Sequence, residues 1–201
     1  MAVLEEYEWC NFWFDRANDQ TRRRILLVGD SITNSYRHSL TQSLGYEYCV
    51  DMIASSRSID NPIIQNELDY MLKMNGFDYE CIHFNNGLHG WHLSVNEYEK
   101  HYEKVIRYIQ KIYHNKLIIA LTTPMTVAGD VKAISEKYNP KVIERNQAVS
   151  SLCKKYNFIL NDLYTPCYGK SEYRISDGYH YNEIGRKALG DIVAKVVLKT
   201  I

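Results

Sequence analysis

The chain has 201 residues, with 24 Lys and Arg against 24 Asp and Glu and 45% hydrophobic content. That length gives one domain with enough apolar side chains for a core, which excludes disordered and collagen-like chains. A formal net charge of zero excludes nucleic-acid binding through bulk positive charge and leaves only local patches such as Arg22, Arg23 and Arg24. No apolar run reaches the roughly 18 residues of a membrane span. The acidic start MAVLEE lacks the basic and apolar regions of a secretory signal, so the expected compartment is cytoplasmic. Cys10, Cys49, Cys81, Cys153 and Cys167 are odd in number and form no C-x-x-C pair, which predicts reduced thiols rather than a zinc or redox site. Tyrosine, with 17 copies, suits half-buried positions and clefts that are partly apolar and partly hydrogen-bonding.

Residues 1–20 carry Tyr7, Trp9, Phe12, Trp13 and Phe14 ahead of any predicted strand. This aromatic appendage is expected to pack as a lid on a sheet edge or on helices; a wall of a substrate cleft and a homodimer contact are the other readings. Strands are predicted at 24–29 (RILLVG), 48–54 (YCVDMIA), 79–84 (YECIHF), 117–121 (LIIAL) and 158–160 (FIL). Amphipathic helices are predicted between and after them at 34–44, 62–73, 95–113, 140–156 and 183–199, with Pro62 and Pro140 where a first turn tolerates a missing amide proton. The strands show little polar alternation, as in a parallel sheet covered on both faces. The alternation predicts a single α/β domain over 1–201, doubly wound with right-handed crossovers, while the strand order stays open.

In such a fold ligands sit beyond the C-terminal ends of the strands. The first strand ends in Gly29-Asp30-Ser31-Ile32-Thr33, which places Ser31 at a helix N-terminus, where free amides and the helix dipole favour an anion. Ser31 there is either a nucleophile or a helix cap. The last helix is preceded by Asp177-Gly178-Tyr179-His180. A serine hydroxyl needs a base, neutral imidazole suits that task, and a carboxylate on the other ring nitrogen fixes the tautomer. His180 and Asp177 supply both, and the two segments together are far more specific than either alone.

These segments resemble the first and last blocks of the SGNH hydrolases, the GDSL esterase and lipase family, and the resemblance spans nearly the whole chain. It implies a three-layer α/β/α sandwich with a flavodoxin-like parallel sheet, Ser31 as nucleophile, His180 as base and Asp177 as its orienting acid. The oxyanion hole it implies uses Ser31 and an asparagine after the third strand. The middle blocks differ from the family pattern. Ser55-Ser56-Arg57-Ser58 has no glycine, leaving the amide of Arg57 or Ser58 as donor. Phe84-Asn85-Asn86-Gly87-Leu88-His89-Gly90 replaces Gly-x-Asn-Asp; a strict register puts Gly87 at the asparagine, so Asn85 takes the role, with Asn86 as rival.

No cofactor is expected, since neither glycine-rich nucleotide motif occurs, and no metal, since His83, His89 and His92 have no carboxylate or thiolate at a familiar spacing. Thr122-Thr123-Pro124, Arg145 and Asn146 are read as neighbours of the site, with His89 and Trp91 lining the cleft and Arg57 either solvated or paired with a substrate carboxylate. The resulting expectation is a serine esterase acting on small acyl, chiefly acetyl, esters of a carbohydrate, a small-molecule substrate. Lysophospholipase or thioesterase chemistry and a catalytically silent glycan- or protein-binding module are the alternatives.

Overall fold

The computed structural model describes residues 3–201. Its centre is a six-stranded sheet of β1 (Cys10–Trp13), β2 (Arg23–Gly29), β3 (Tyr48–Ser55), β4 (Cys81–Phe84), β5 (Lys116–Ala120) and β8 (Ile159–Asn161) in the order β1-β3-β2-β4-β5-β8. All pairs from β3 to β8 are parallel, and only β1 runs antiparallel, at the edge. Setting β1 aside, the order is the flavodoxin-like 2-1-3-4-5, which reverses between β2 and β4 and opens a crevice above their C-terminal ends.

Period-two geometry explains why the strands read as continuous apolar runs. In β2, Ile25 and Leu27 face one layer with Tyr36 and Leu40 of α1 (Ser31–Leu44) and Leu189 and Val193 of α5 (Glu183–Thr200). Leu26 and Val28 face the other, with Leu68 of α2 (Ile63–Asp69), Ile106 of α3 (Val95–Ile112) and Leu152 of α4 (Asn139–Tyr156). Both faces are covered, so the fold is a three-layer α/β/α sandwich. Ser94 and Glu97 start α3 with a reciprocal capping box. The predicted helix at 62–73 is split, α2 giving way to a π-helical turn, Tyr70–Met74.

Two strand features were not legible. The strand β1 lies inside the aromatic appendage and zips onto β3, Cys10 opposite Ser55 and Trp13 opposite Met52, so the appendage does cover the sheet edge. A hairpin of β6 (Thr126–Val127) and β7 (Asp130–Ile134) interrupts the connection from β5 to α4. The basic triplet also resolves into pairs rather than a patch: Arg22 with Asp19, Arg23 with Glu80 at 2.9 Å and buried Arg24 with Asp51 at 2.8 Å. All five cysteines are free, and burial pushes the thiols of Cys10, Cys81 and Cys153 up to about 12. Among the described residues no helix is long and apolar enough to cross a membrane.

His83 of β4 is fully buried between Tyr36 and Asn161, whose amide nitrogen lies 3.0 Å from its Nε2. Desolvation drives this imidazole down to about 3, so it stays neutral when folded and protonates when unfolded. Its contribution to stability is therefore complete above the ordinary histidine value and lost as the pH falls toward about 3. Between pH 7 and pH 5 it should account for about 2 kcal/mol of destabilisation. Urea unfolding of His83→Gln against the parent at both pH values tests this: the variant should lose less stability than the parent on acidification, and parallel losses would refute it.

Candidate active site

The site is built from the loops above the sheet's C-terminal edge. Helix α1 starts at Ser31, three residues earlier than expected, because Asp30 is its N-cap: the Asp30 carboxylate accepts the Ile32 amide at 2.9 Å. Ser31 is thus not the cap, its hydroxyl is free of that role, and it sits on the first turn, where amides lack intrahelical partners. The second Asp30 oxygen is buried without a protein partner.

The other half of the site is the loop between residues 174 and 181, closed by a bridge between Arg174 and Tyr181 and by the Asn182 amide donating to the Tyr173 carbonyl at 2.8 Å. One oxygen of Asp177 accepts the amides of Tyr179 at 3.0 Å and His180 at 2.8 Å, and the other lies 2.6 Å from His180 Nδ1. Burial raises the Asp177 carboxyl, but these amides and the imidazole outweigh it, so the group is held below its ordinary value. A carboxylate at Nδ1 places the ring proton there and leaves Nε2 as an acceptor. Nε2 lies 2.9 Å from Ser31 Oγ, across 149 positions of sequence. The structure therefore brings Ser31, His180 and Asp177 together.

Arg174 and the hairpin, neither singled out from sequence, hold this loop in place. The Arg174 guanidinium is buried, donates to the carbonyls of Tyr179 at 3.0 Å and Pro124 at 2.6 Å, and stacks 4.1 Å over the Tyr181 ring. Thr126 directs both its amide, at 2.7 Å, and its hydroxyl, at 3.0 Å, to the Gly178 carbonyl, while the Gly129 amide donates to Ser176 at 2.8 Å. Gly178 has φ +90, and a Cβ there would come within 2.5 Å of the Thr126 carbonyl, so glycine is required twice over. The only sequence signal was that glycine between Asp177 and His180.

The asparagines after β4 are both held by backbone carbonyls. Asn85 is buried and turns its amide nitrogen to the Ala120 carbonyl at 2.8 Å and the Thr122 hydroxyl at 3.5 Å. Asn86 donates to the Arg57 carbonyl at 2.8 Å. In this position Asn85 braces β4 against the end of β5. Gly87 sits against Thr122 with no room for a Cβ, which explains why the register places glycine there. Arg145, with 3% exposure, donates to the carbonyls of Gly87 at 2.9 Å, His89 at 2.8 Å and Gly90 at 2.6 Å, and lies beneath the rings of Trp91 and Tyr98. Asn146 clamps both backbone groups of Thr122 at 2.8 Å.

The three histidines considered as ligands are apart in role: His83 is buried, His89 pairs with Glu5 at 2.8 Å and His92 with Asp60 at 3.3 Å. Arg57 is neither solvated nor free, since Glu8 at 2.6 Å and Glu67 at 3.2 Å hold it. Above Ser31 opens a cavity of about 920 Å³ lined by Ser58, Leu88, Trp91, Met125 and Tyr138, among others. The rings of Trp91 and Tyr138 lie 5.4 Å apart on its wall.

No family model and no curated protein sequence matches the chain. Solved structures do. An aryl esterase from M. smegmatis is 16% identical, with 89% of this chain and 100% of that one aligned at a TM-score of 0.69. A carbohydrate acetylesterase from Sinorhizobium meliloti is 14% identical, covering 90% and 100% at a TM-score of 0.69. A GDSL-like lipase from Bacteroides thetaiotaomicron is 14% identical, covering 89% of each chain at a TM-score of 0.66. The chain thus has the fold of the SGNH hydrolases.

If Asn85 is a brace, Asn85→Ala leaves the Ala120 carbonyl buried and unpaired, and should cost about 1–3 kcal/mol of stability in urea unfolding. An unchanged midpoint would return the amide to the cavity side.

Proposed function

We propose that the protein is a serine esterase that cleaves its substrate through an acyl-enzyme. The observation that carries this is the chain of contacts from Asp177 to His180 at 2.6 Å and from His180 to Ser31 at 2.9 Å, at the floor of a cavity wide enough for an organic ester. His180 Nε2 takes the Ser31 proton as the oxygen bonds to the ester carbonyl carbon. The carbon–alcohol oxygen bond then breaks, and the imidazolium returns that proton to the departing alcohol. Water repeats the sequence: His180 accepts its proton, the hydroxide oxygen bonds to the acyl carbon, and Ser31 leaves with the proton back on its hydroxyl. Asp177, ionised and hydrogen-bonded, orients the ring and stabilises the imidazolium.

The developing oxyanion has the Ser31 amide, at the positive end of α1, as one donor. The amide of Ser58 is the second in this reading. Ser58 lines the cavity with Ser31, whereas the Arg57 amide is directed to the Ser55 hydroxyl at 3.4 Å.

For the substrate, the Trp91 and Tyr138 rings offer flat apolar faces of the kind that pack on a sugar ring, and the likeness to a carbohydrate acetylesterase supports the same choice. A small acyl, chiefly acetyl, ester of a carbohydrate is therefore the preferred substrate. Leu88, Met125, Val127 and Ala128 on the wall favour a second reading, an ester of an apolar or aromatic alcohol.

Ser31→Ala should abolish hydrolysis of p-nitrophenyl acetate and fluorophosphonate labelling while leaving the melting temperature near that of the parent; retained turnover would remove the mechanism. Asp177→Asn, which keeps the shape but not the charge, should lower kcat on the order of 10⁴-fold. Comparing acetylated sugars with phenyl acetates in kcat/KM decides between the two substrate readings.

A further inference from the structure

We infer that Asn86 is a positioning residue for the reaction: it grips the peptide between Arg57 and Ser58 by its carbonyl and so holds the Ser58 amide toward the cavity. The inference rests on the esterase reading above and on Ser58 as the second oxyanion donor. A trans peptide is a rigid plane in which the C=O and the N–H point in opposite directions. No described residue has a cis peptide bond. The Arg57 carbonyl and the Ser58 amide therefore belong to one plane, and whatever fixes the first aims the second. Asn86 Nδ2 donates to that carbonyl at 2.8 Å.

The groups around this peptide are committed, save the amide itself. The Ser58 carbonyl accepts the Asn61 amide at 2.8 Å, the Ser58 hydroxyl donates to the Asp60 carboxylate, and the Arg57 amide is directed to the Ser55 hydroxyl at 3.4 Å. The Ser58 amide donates to no group among the described residues, although Ser58 is only 3% exposed and lines the cavity with Ser31. A backbone N–H on a buried residue is costly to leave unpaired, and an oxyanion formed at Ser31 would supply the acceptor it lacks.

Asn86 is placed to hold that peptide. It follows β4 closely, is buried, and its own carbonyl accepts the Tyr98 hydroxyl. Its Oδ1 has no partner among the described residues, which leaves the nitrogen as the working end of the side chain. Turning the amide over would set two oxygens against each other, so the Arg57 carbonyl fixes its orientation. Gly90, with φ +70, closes on the Ser58 side chain with no room for a Cβ, so the loop after β4 also packs against the same turn. A hydrogen bond at the carbonyl further polarises the peptide and makes its N–H a stronger donor.

The test measures kcat and KM for p-nitrophenyl acetate, melting temperature, and inhibition by a trifluoromethyl ketone, which forms a tetrahedral oxyanion adduct on a nucleophilic serine. The parent is compared with Asn86→Ala and with Asn86→Asp, which keeps the shape but sets a carboxylate against the Arg57 carbonyl. Both variants should lower kcat about tenfold or more with KM within about twofold, and should weaken the ketone by the same factor as kcat/KM. A lower melting temperature with kcat unchanged would make Asn86 a structural residue only and overturn the inference. To separate positioning from direct contact, Ser58→Ala is compared with the same protein carrying a backbone ester in place of the amide at position 58, which deletes the N–H. The ester should cost about a hundredfold in kcat, and adding Asn86→Ala to it should cost little more. A full additional loss, or an ester protein as fast as Ser58→Ala, would overturn the inference and spare the esterase reading. A parent inactive on every ester overturns both.

Discussion

The bond from His180 Nε2 to Ser31 Oγ is the constraint on which the rest of the molecule bears, because its partners come from opposite ends of the fold. Ser31 is fixed first. It sits on a turn whose geometry is set by a fully paired strand, an aspartate cap and a helix packed on α5. His180 has no such support from regular structure. It stands on a loop of irregular backbone, and a hydrogen bond to a serine tolerates an error of a few tenths of an ångström before it fails. The loop therefore has to be made rigid by other means.

One buried arginine does this, a second does the same for the loop after β4, and neither is answered by a carboxylate. Arg174 ties the loop between residues 174 and 181 to the insertion, and Arg145 ties the loop after β4 to α4. Each spends its charge on backbone carbonyls and on aromatic faces. Burial lowers both guanidinium groups, yet arginine remains charged in proteins, so the fixtures do not release within the range where an imidazole titrates. Carbonyls also suit the purpose geometrically: a planar fork that reaches several carbonyls along one turn fixes the path of the backbone, whereas a carboxylate partner would fix only the arginine. The aromatic rings that cover them bury the charge on the remaining sides.

What could be read from the sequence follows from the range of the interactions involved. The central strands were legible because each buries both faces and needs nothing but apolar residues in a row, as Ile25 to Val28 illustrate. Ser31, Asp177 and His180 were legible because each half of the site is a short contiguous motif whose geometry is local. The direction in which Asn85 turns was not, since it is decided by the Ala120 carbonyl at the end of the neighbouring strand and the Thr122 hydroxyl just beyond it. The strand β1 was hidden for a related reason: three of its four residues are exposed, so its sequence carries no pattern, and it is a strand only because β3 presents a free edge. Arg174 looked like any surface arginine, because its burial depends on the insertion that folds over it.

The same division separates chemistry from selection. The sheet and α1 position the Ser31 hydroxyl, and the loop before α5, held by Arg174 and Thr126, positions the His180 imidazole. The walls of the cavity come from residues 3–6 and from the hairpin insertion, which contribute little to either hydrophobic cluster. Yet the hairpin is not independent of the reacting groups, because Thr126 holds the Gly178 carbonyl between Asp177 and His180. A ligand that presses on the hairpin therefore presses on the imidazole as well. In the proposed mechanism, fit within the cavity and alignment of His180 are thereby coupled through one threonine, so that a substrate that fits poorly would lose turnover as well as binding.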